Sequence, residues 1–198
     1  MGSEIRLGSF SAHATKAGET MRPNAVIFDV DGTLCDVRSV LHHVVAPVGE
    51  TRFTKNFHKF HADSIDCPPN AAVVQALRRA AAAGFTILIV TAREDKWSFL
   101  TTLWLADNGI EFDELFMRRK GDFRPDAEIK REIERTIRKR FSVRLAVDDR
   151  ADIIEVWHAA GIPTARVTVR GTVRPTEWPA DAPADRSLEQ TLSGLINA

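Results

Sequence analysis

Short apolar runs alternate along the chain with segments whose apolar residues recur every third or fourth position. Ala25-Val26-Ile27-Phe28 is a run suited to a strand buried on both faces. Phe85-Thr86-Ile87-Leu88-Ile89-Val90 is a second such run, Leu115-Phe116-Met117 a short third, Val143-Arg144-Leu145-Ala146-Val147 a fourth, and residues 165–169 a fifth. Helical spacing predicts a helix over 71–83, with Val73, Val74 and Leu77 as its stripe and Gly84 as its C-cap. Another is predicted over about 95–107, carrying Trp97, Leu100, Leu103 and Trp104 and ending at Asn108-Gly109. Pro125 opens the next, Asp126 and Glu128 favour its positive end, and Ile129, Ile133 and Ile137 face the core. A last helix over 152–160 packs Ile153, Val156 and Trp157 before Gly161 and Pro163 stop it. Strands alternating with helices predict an α/β protein: a three-layer Rossmann-like fold with a mainly parallel central sheet.

The pattern also divides the chain. Residues 1–22 lack periodicity and read as a flexible tail. Residues 23–170 form the predicted domain. Within it, 36–69 holds Val40-Leu41, Val44-Val45 and a Phe53/Phe57/Phe60 series, which predicts one or two short helices: a small helical cap insert beside the site. Residues 171–198 are rich in Pro and Ala and read as a tail with a short helix over 187–196.

Composition changes this picture only locally. Lys plus Arg and Asp plus Glu number 27 each, so overall charge selects no partner. Between residues 118 and 144, however, eleven basic residues stand against five acidic ones, either a solvated helix face or a surface that attracts a polyanion. Cys35 and Cys67 are too few for a disulfide scaffold and fit a reducing compartment. With no apolar run near the ~20 residues that span a bilayer and no signal-like N-terminus, the expected location is the cytoplasm, away from membranes. His58, His61 and Cys67, with Cys35, match no recurrent zinc-ligand spacing.

In open α/β sheets ligands bind beyond the carboxyl ends of the strands. Three strands here deliver Asp29/Asp31, Thr91/Arg93 and Asp148/Asp149 to that edge. Carboxylates at the mouth of buried strands are costly unless something positive joins them; a divalent cation with a phosphate site supplies that compensation. Phosphoryl transfer needs a nucleophile, charge neutralisation and a proton for the leaving alcohol. Asp29 is the candidate nucleophile and Asp31 the acid and base. Thr91 offers a hydroxyl and an N–H to the phosphate. Lys130 lies one helical turn after Asp126, whose carboxylate is expected to aim the ammonium.

Asp29-Val30-Asp31-Gly32-Thr33 resembles the first motif of the haloacid dehalogenase-like phosphohydrolases, and Thr91, Lys130 and Asp148-Asp149 follow in the order of that superfamily's remaining motifs. The resemblance implies an aspartyl-phosphate intermediate on Asp29 and Mg²⁺ held by Asp29, the Asp31 carbonyl and Asp148, with Asp149 a further ligand or a water-orienting group. Phe116-Met117-Arg118-Arg119-Lys120-Gly121-Asp122-Phe123-Arg124-Pro125-Asp126-x-x-x-Lys130, with Leu145-Ala146-Val147-Asp148-Asp149-Arg150 and Val156-Trp157, is similar to the 3′-phosphatase domain of bacteriophage polynucleotide kinase–phosphatases. That likeness implies removal of a 3′-phosphate from DNA or RNA ends, with Arg93, Arg118, Asp126 and, less directly, Arg38 at the substrate. It also leaves room for activity on 2′,3′-cyclic ends and for a separate kinase or ligase partner. No Gly-x-x-x-x-Gly-Lys-Ser/Thr loop occurs in these 198 residues, so kinase activity is not expected of them. The alternatives are a small-molecule phosphatase acting on nucleotides or sugar phosphates and a catalytically idle binding module. The sequence leaves the oligomeric state open.

Overall fold

The computed structural model describes residues 22–168, 171 and 173–175. Strand β1 (Asn24–Phe28) lies inside the sheet, parallel to β2 (Thr86–Glu94) on one side and β4 (Ser142–Asp148) on the other. With β3 (Glu114–Arg118), β5 (Thr164–Val167) and β6 (Val173–Pro175) the order is β3-β2-β1-β4-β5-β6. The first five are parallel, and β6 is an antiparallel edge strand. That short strand falls in the segment expected to be tail. The helix expected over 187–196 lies outside the described residues.

Alternation along the strands builds two cores. Val26 and Phe28 of β1 join Ile87, Ile89, Leu145 and Val147 on one face, under α2 (Ala71–Ala82) and α3 (Ser98–Asp107), which contribute Leu77 and Trp104. Ala25 and Ile27 join Leu88, Val90 and Ala146 on the other, under α4 (Asp126–Ile137) and α5 (Ala151–Ala159), which contribute Ile137, Ile153 and Trp157. Sheet and flanking helices make the three layers the periodicity predicts.

The insert leaves the sheet after the turn that follows β1. It holds a 3-10 segment (Val37–His43), α1 (Phe57–Asp63) and a second 3-10 turn (Ser64–Asp66). Its two ends are tied together: Asp36 N donates to the Pro68 carbonyl at 2.9 Å, and the Asn70 side chain donates to the Thr33 carbonyl at 2.6 Å. Trp104 pins the far end from α3 by donating its indole N–H to the Cys67 carbonyl at 2.8 Å. The insert therefore stands at a fixed place beside the carboxyl end of β1.

Strand β2 continues through Thr91, Ala92 and Arg93, which the apolar run had placed just beyond its end. It does so because β3 pairs with it as far as Arg118 opposite Glu94, with a register shift after Thr91. Thr91 is held by the ladder opposite Met117, Arg93 lies in the irregularity before Glu94, and both are buried.

Candidate active site

Asp29 follows β1 directly, and its N–H donates to the Val147 carbonyl at 3.1 Å, which ties it to the end of β4. Asp148 closes β4, and Asp149 follows it. Carboxylate oxygens of Asp29, Asp148 and Asp149 lie within 4.8 Å of one another, the one such cluster among the described residues. Lys130, on the second turn of α4 and 2% exposed, donates its Nζ to Asp29 Oδ1 at 2.8 Å and to Asp148 Oδ2 at 2.7 Å. Trp157 Nε1 approaches Asp148 Oδ2 at 3.5 Å, and Arg150 N donates to Asp148 Oδ1 at 3.2 Å.

This concentration of charge sets the electrostatics. Burial raises Asp29 well above the ordinary carboxylate range, and the Asp148 and Asp149 charges add to that against the pull of Lys130. Burial, then Asp148, pushes Asp149 up to about 6. Burial disfavours the charged form of Lys130, but Asp148 and Asp29 outweigh it and keep the ammonium protonated. Three clustered carboxylates thus face one buried ammonium, an all-oxygen donor set with unbalanced negative charge, which fits a hard divalent cation. The backbone leaves room for the Asp149 carboxylate. Gly32, at φ +83°, passes so close that a Cβ there would sit 2.7 Å from Asp149 Cγ.

Asp31 points to a different set of partners. Arg93, 2% exposed, grips both its oxygens, Nε to Oδ2 at 2.9 Å and Nη2 to Oδ1 at 2.5 Å. Burial alone would raise Asp31, but the charge and hydrogen bonds of Arg93 hold it below the usual range. The remaining Arg93 donors go to Thr101 Oγ1 at 3.2 Å and Ser64 Oγ at 3.0 Å. The guanidinium expected at the substrate thus anchors Asp31 while it lines the cavity described below. Arg118 is used similarly. It donates to the carbonyls of Ala92, Asp122 and Arg124 and to Asp126, which shapes the loop between β3 and α4.

Asp126 does not aim Lys130. It pairs with Arg118 and Arg150 instead. Lys130 is buried against the sheet and takes the buried carboxylates there, whereas Asp126 stands at the partly exposed start of α4, where the guanidiniums reach it. Arg38 is exposed, donates to Asp36, and is not among the residues lining the cavity described next. The basic run is likewise divided. Arg118, Arg124, Lys130, Arg138 and Arg140 make ion pairs within the protein.

A cavity of about 820 Å³ opens over these groups. Asp29, Asp31, Thr91, Arg93, Arg118, Asp126 and Lys130 all line it. Its walls include groups not expected at the site: Arg150 and Arg124, and from the insert Lys55, Phe57 and His61. Arg150 had a signal, since it directly follows the Asp148-Asp149 pair. The insert was expected beside the site, but which of its side chains line the cavity only the fold shows. His61 packs against Trp97 and Phe57 and brings its Nδ1 within 4.0 Å of Asp31 Oδ2. That nitrogen has no hydrogen-bond partner among the described residues, and burial pushes the imidazole down to about 4.

Residues 23–170 match the family model described as "Polynucleotide kinase PNKP phosphatase domain". A chain in the structure of a Pnkp1/Rnl/Hen1 complex is similar at 25% identity over 84% of this chain and 53% of that one, with a TM-score of 0.61. A chain in the structure of the Pnkp1/Rnl/Hen1 RNA repair complex is similar at 24% identity over 81% and 47%, again with a TM-score of 0.61. The protein thus spans about half the length of each. A hydrolase of the haloacid dehalogenase-like family, SP0104 from Streptococcus pneumoniae, shares the fold at 15% identity over 73% of this chain and 83% of that one, with a TM-score of 0.52. No helix among the described residues is long and apolar enough to cross a membrane.

Proposed function

The chain belongs to the family of polynucleotide kinase PNKP phosphatase domains, phosphomonoesterases of the haloacid dehalogenase superfamily, and from that premise we propose that it removes the 3′-phosphate from nucleic-acid ends through an aspartyl-phosphate on Asp29. The observation that carries this reading is the buried Asp29–Lys130–Asp148 arrangement, with Asp149 beside it, whose Asp29 and Lys130 line a cavity large enough for a nucleotide.

Asp29 attacks phosphorus, the bond to the leaving oxygen breaks, and that oxygen takes a proton from Asp31. Asp31 then takes a proton from the water that attacks the phosphorus of the aspartyl-phosphate, releasing phosphate and restoring Asp29. Arg93 fixes Asp31 for both steps and favours its ionised form, the form needed as base. For the acid step, the negative charge of an entering phosphate raises Asp31 and supplies the protonated form. Lys130 holds Asp29 in its attacking position and offsets the charge on the transferring oxygens, and Thr91 offers its hydroxyl and N–H to them. Asp29, Asp148, Asp149 and the Asp31 carbonyl would hold Mg²⁺, which when bound removes the repulsion between a carboxylate nucleophile and a phosphate dianion. Asp126, gripped by Arg118 and Arg150, braces the wall along which the rest of the substrate lies.

Polynucleotide as substrate is supported by the family match and by the cations at the cavity mouth, Lys55, Arg124 and Arg150. The RNA repair setting of the similar chains supports action beside a separate kinase or ligase. Release of phosphate from 3′-phosphate, 5′-phosphate and 2′,3′-cyclic oligonucleotide ends and from nucleoside monophosphates tests this. The 3′-phosphorylated oligonucleotide is expected to be turned over best. Equal or faster turnover of mononucleotides would favour the small-molecule reading.

A further inference from the structure

The walls of the cavity differ in chemistry. The side contributed by β3–α4 and the start of α5 is ionic. The side contributed by the insert presents Val44, Val45 and Phe57. Two of these remain solvent-exposed, Val45 at 55% and Phe57 at 53%, and Phe123, from the β3–α4 loop, lines the same cavity at 92%. Large apolar side chains exposed together on the wall of one cavity mark a binding surface. Phe57 is also firmly placed. It begins α1, and its ring stacks on His61 at 6.2 Å with an interplanar angle of 27°, while His61 reaches within 4.0 Å of Asp31. Lys55 holds its ammonium 6.0 Å from the centre of the Phe57 ring. Phe57, with the Lys55 ammonium near its ring, thus lines the same cavity as Asp31, the group assigned to the leaving oxygen, and His61 stands between the two.

Resting on the reading above, we infer that Phe57 is a stacking platform for the base of the 3′-terminal nucleotide, with Lys55 beside it for the adjoining backbone phosphate. Every nucleobase presents a planar π-face to such a ring, whereas a sugar phosphate presents only the C–H face of its ring. Stacking on an aromatic side chain tolerates any base and is worth about 1–3 kcal/mol, or roughly 5- to 150-fold in kcat/KM at ~1.4 kcal/mol per tenfold. The platform therefore reads the presence of a base, not its identity.

The test compares kcat/KM for two 3′-phosphorylated oligonucleotides that differ only in whether the 3′-terminal residue carries a base or is a stable abasic analogue. The protein is expected to favour the base-bearing end by roughly 5- to 150-fold, chiefly through KM. Phe57→Ala should bring that ratio close to one, and Phe57→Trp should preserve it. Phe99→Ala, an exposed α3 phenylalanine not among the cavity-lining residues, should leave the ratio as it is. Equal turnover of both ends by the unmodified protein, or a ratio unchanged in Phe57→Ala, would overturn the platform while leaving the phosphatase reading intact. Failure to turn over either end would overturn both.

Discussion

Gly32 offers a way to disturb one carboxylate without touching it. Its φ of +83° lies in the left-handed region, where an L-residue costs roughly 1–2 kcal/mol. Gly84, at φ +85°, would incur the same strain, but a Cβ there meets nothing within 4 Å. The two Gly→Ala variants thus share a backbone penalty, and each is expected to lower Tm by about 2–8 °C on the scale for chains of this size. They differ at Asp149. The Cβ of Gly32→Ala would sit 2.7 Å from Asp149 Cγ, so the carboxylate has to retreat by roughly 1 Å to ordinary contact, a displacement that costs on the order of 10²-fold when it misplaces a reacting group. Calorimetry or dye-monitored melting, paired with phosphate release at saturating Mg²⁺, separates the effects. Gly84→Ala is expected to lose stability alone, and Gly32→Ala to lose similar stability and about a hundredfold in kcat. Matching activities in the two variants would refute the claim that the Asp149 position matters to the reaction.

The remaining expectations concern charge. Asp149 is raised to about 6 by burial and by Asp148, so between the unfolded value near 3.9 and about 6 the folded protein holds the extra proton and its stability falls as pH rises. A cation that takes the proton's place should therefore raise Tm more at pH 7.5 than at pH 5, and an equal shift at both would contradict the assigned ligands. Lys130→Met strands the Asp29 and Asp148 carboxylates, with an expected loss of about 3–5 kcal/mol in metal-free protein. Part of that loss should return on adding Mg²⁺ in denaturant titrations, while activity falls by roughly 10²–10³-fold. Arg93 lowers the pKa of Asp31 against the effect of burial, so Arg93→Met should move to higher pH the alkaline limb of the kcat/KM profile, which reports the step in which Asp31 gives its proton to the leaving oxygen; an unmoved limb would mean that Asp31 does not govern it.

The parts legible in the sequence are those set by periodicity and by strand ends. Ala25-Val26-Ile27-Phe28 and the isoleucines of α4 announce their elements because burial on two faces or one stripe leaves little choice of residue. Asp29, Asp148 and Lys130 meet because parallel strands and their crossover helix must deliver them to one edge. Side-chain pairing was less legible. Asp126 lies a turn before Lys130 on α4, yet partner choice follows depth, and the buried ammonium takes the buried acids. Arg93 lines the cavity as the strand end predicts, but its grip on Asp31, Thr101 and Ser64 depends on elements far apart in the chain. The aromatic wall was least legible. Phe57 reads as one of three spaced phenylalanines, and only the fold shows that it lines the cavity half-exposed while Phe60, on the same wall, is buried.

The central claim is that Asp29 carries the phosphoryl group. Rapid acid quench of the protein with a 3′-³²P-labelled oligonucleotide, followed by peptide mapping, tests it directly. Protein-bound label is expected on the peptide containing Asp29, discharged by hydroxylamine and absent from Asp29→Asn. Label on a different residue, or wild-type turnover by Asp29→Asn, would contradict it.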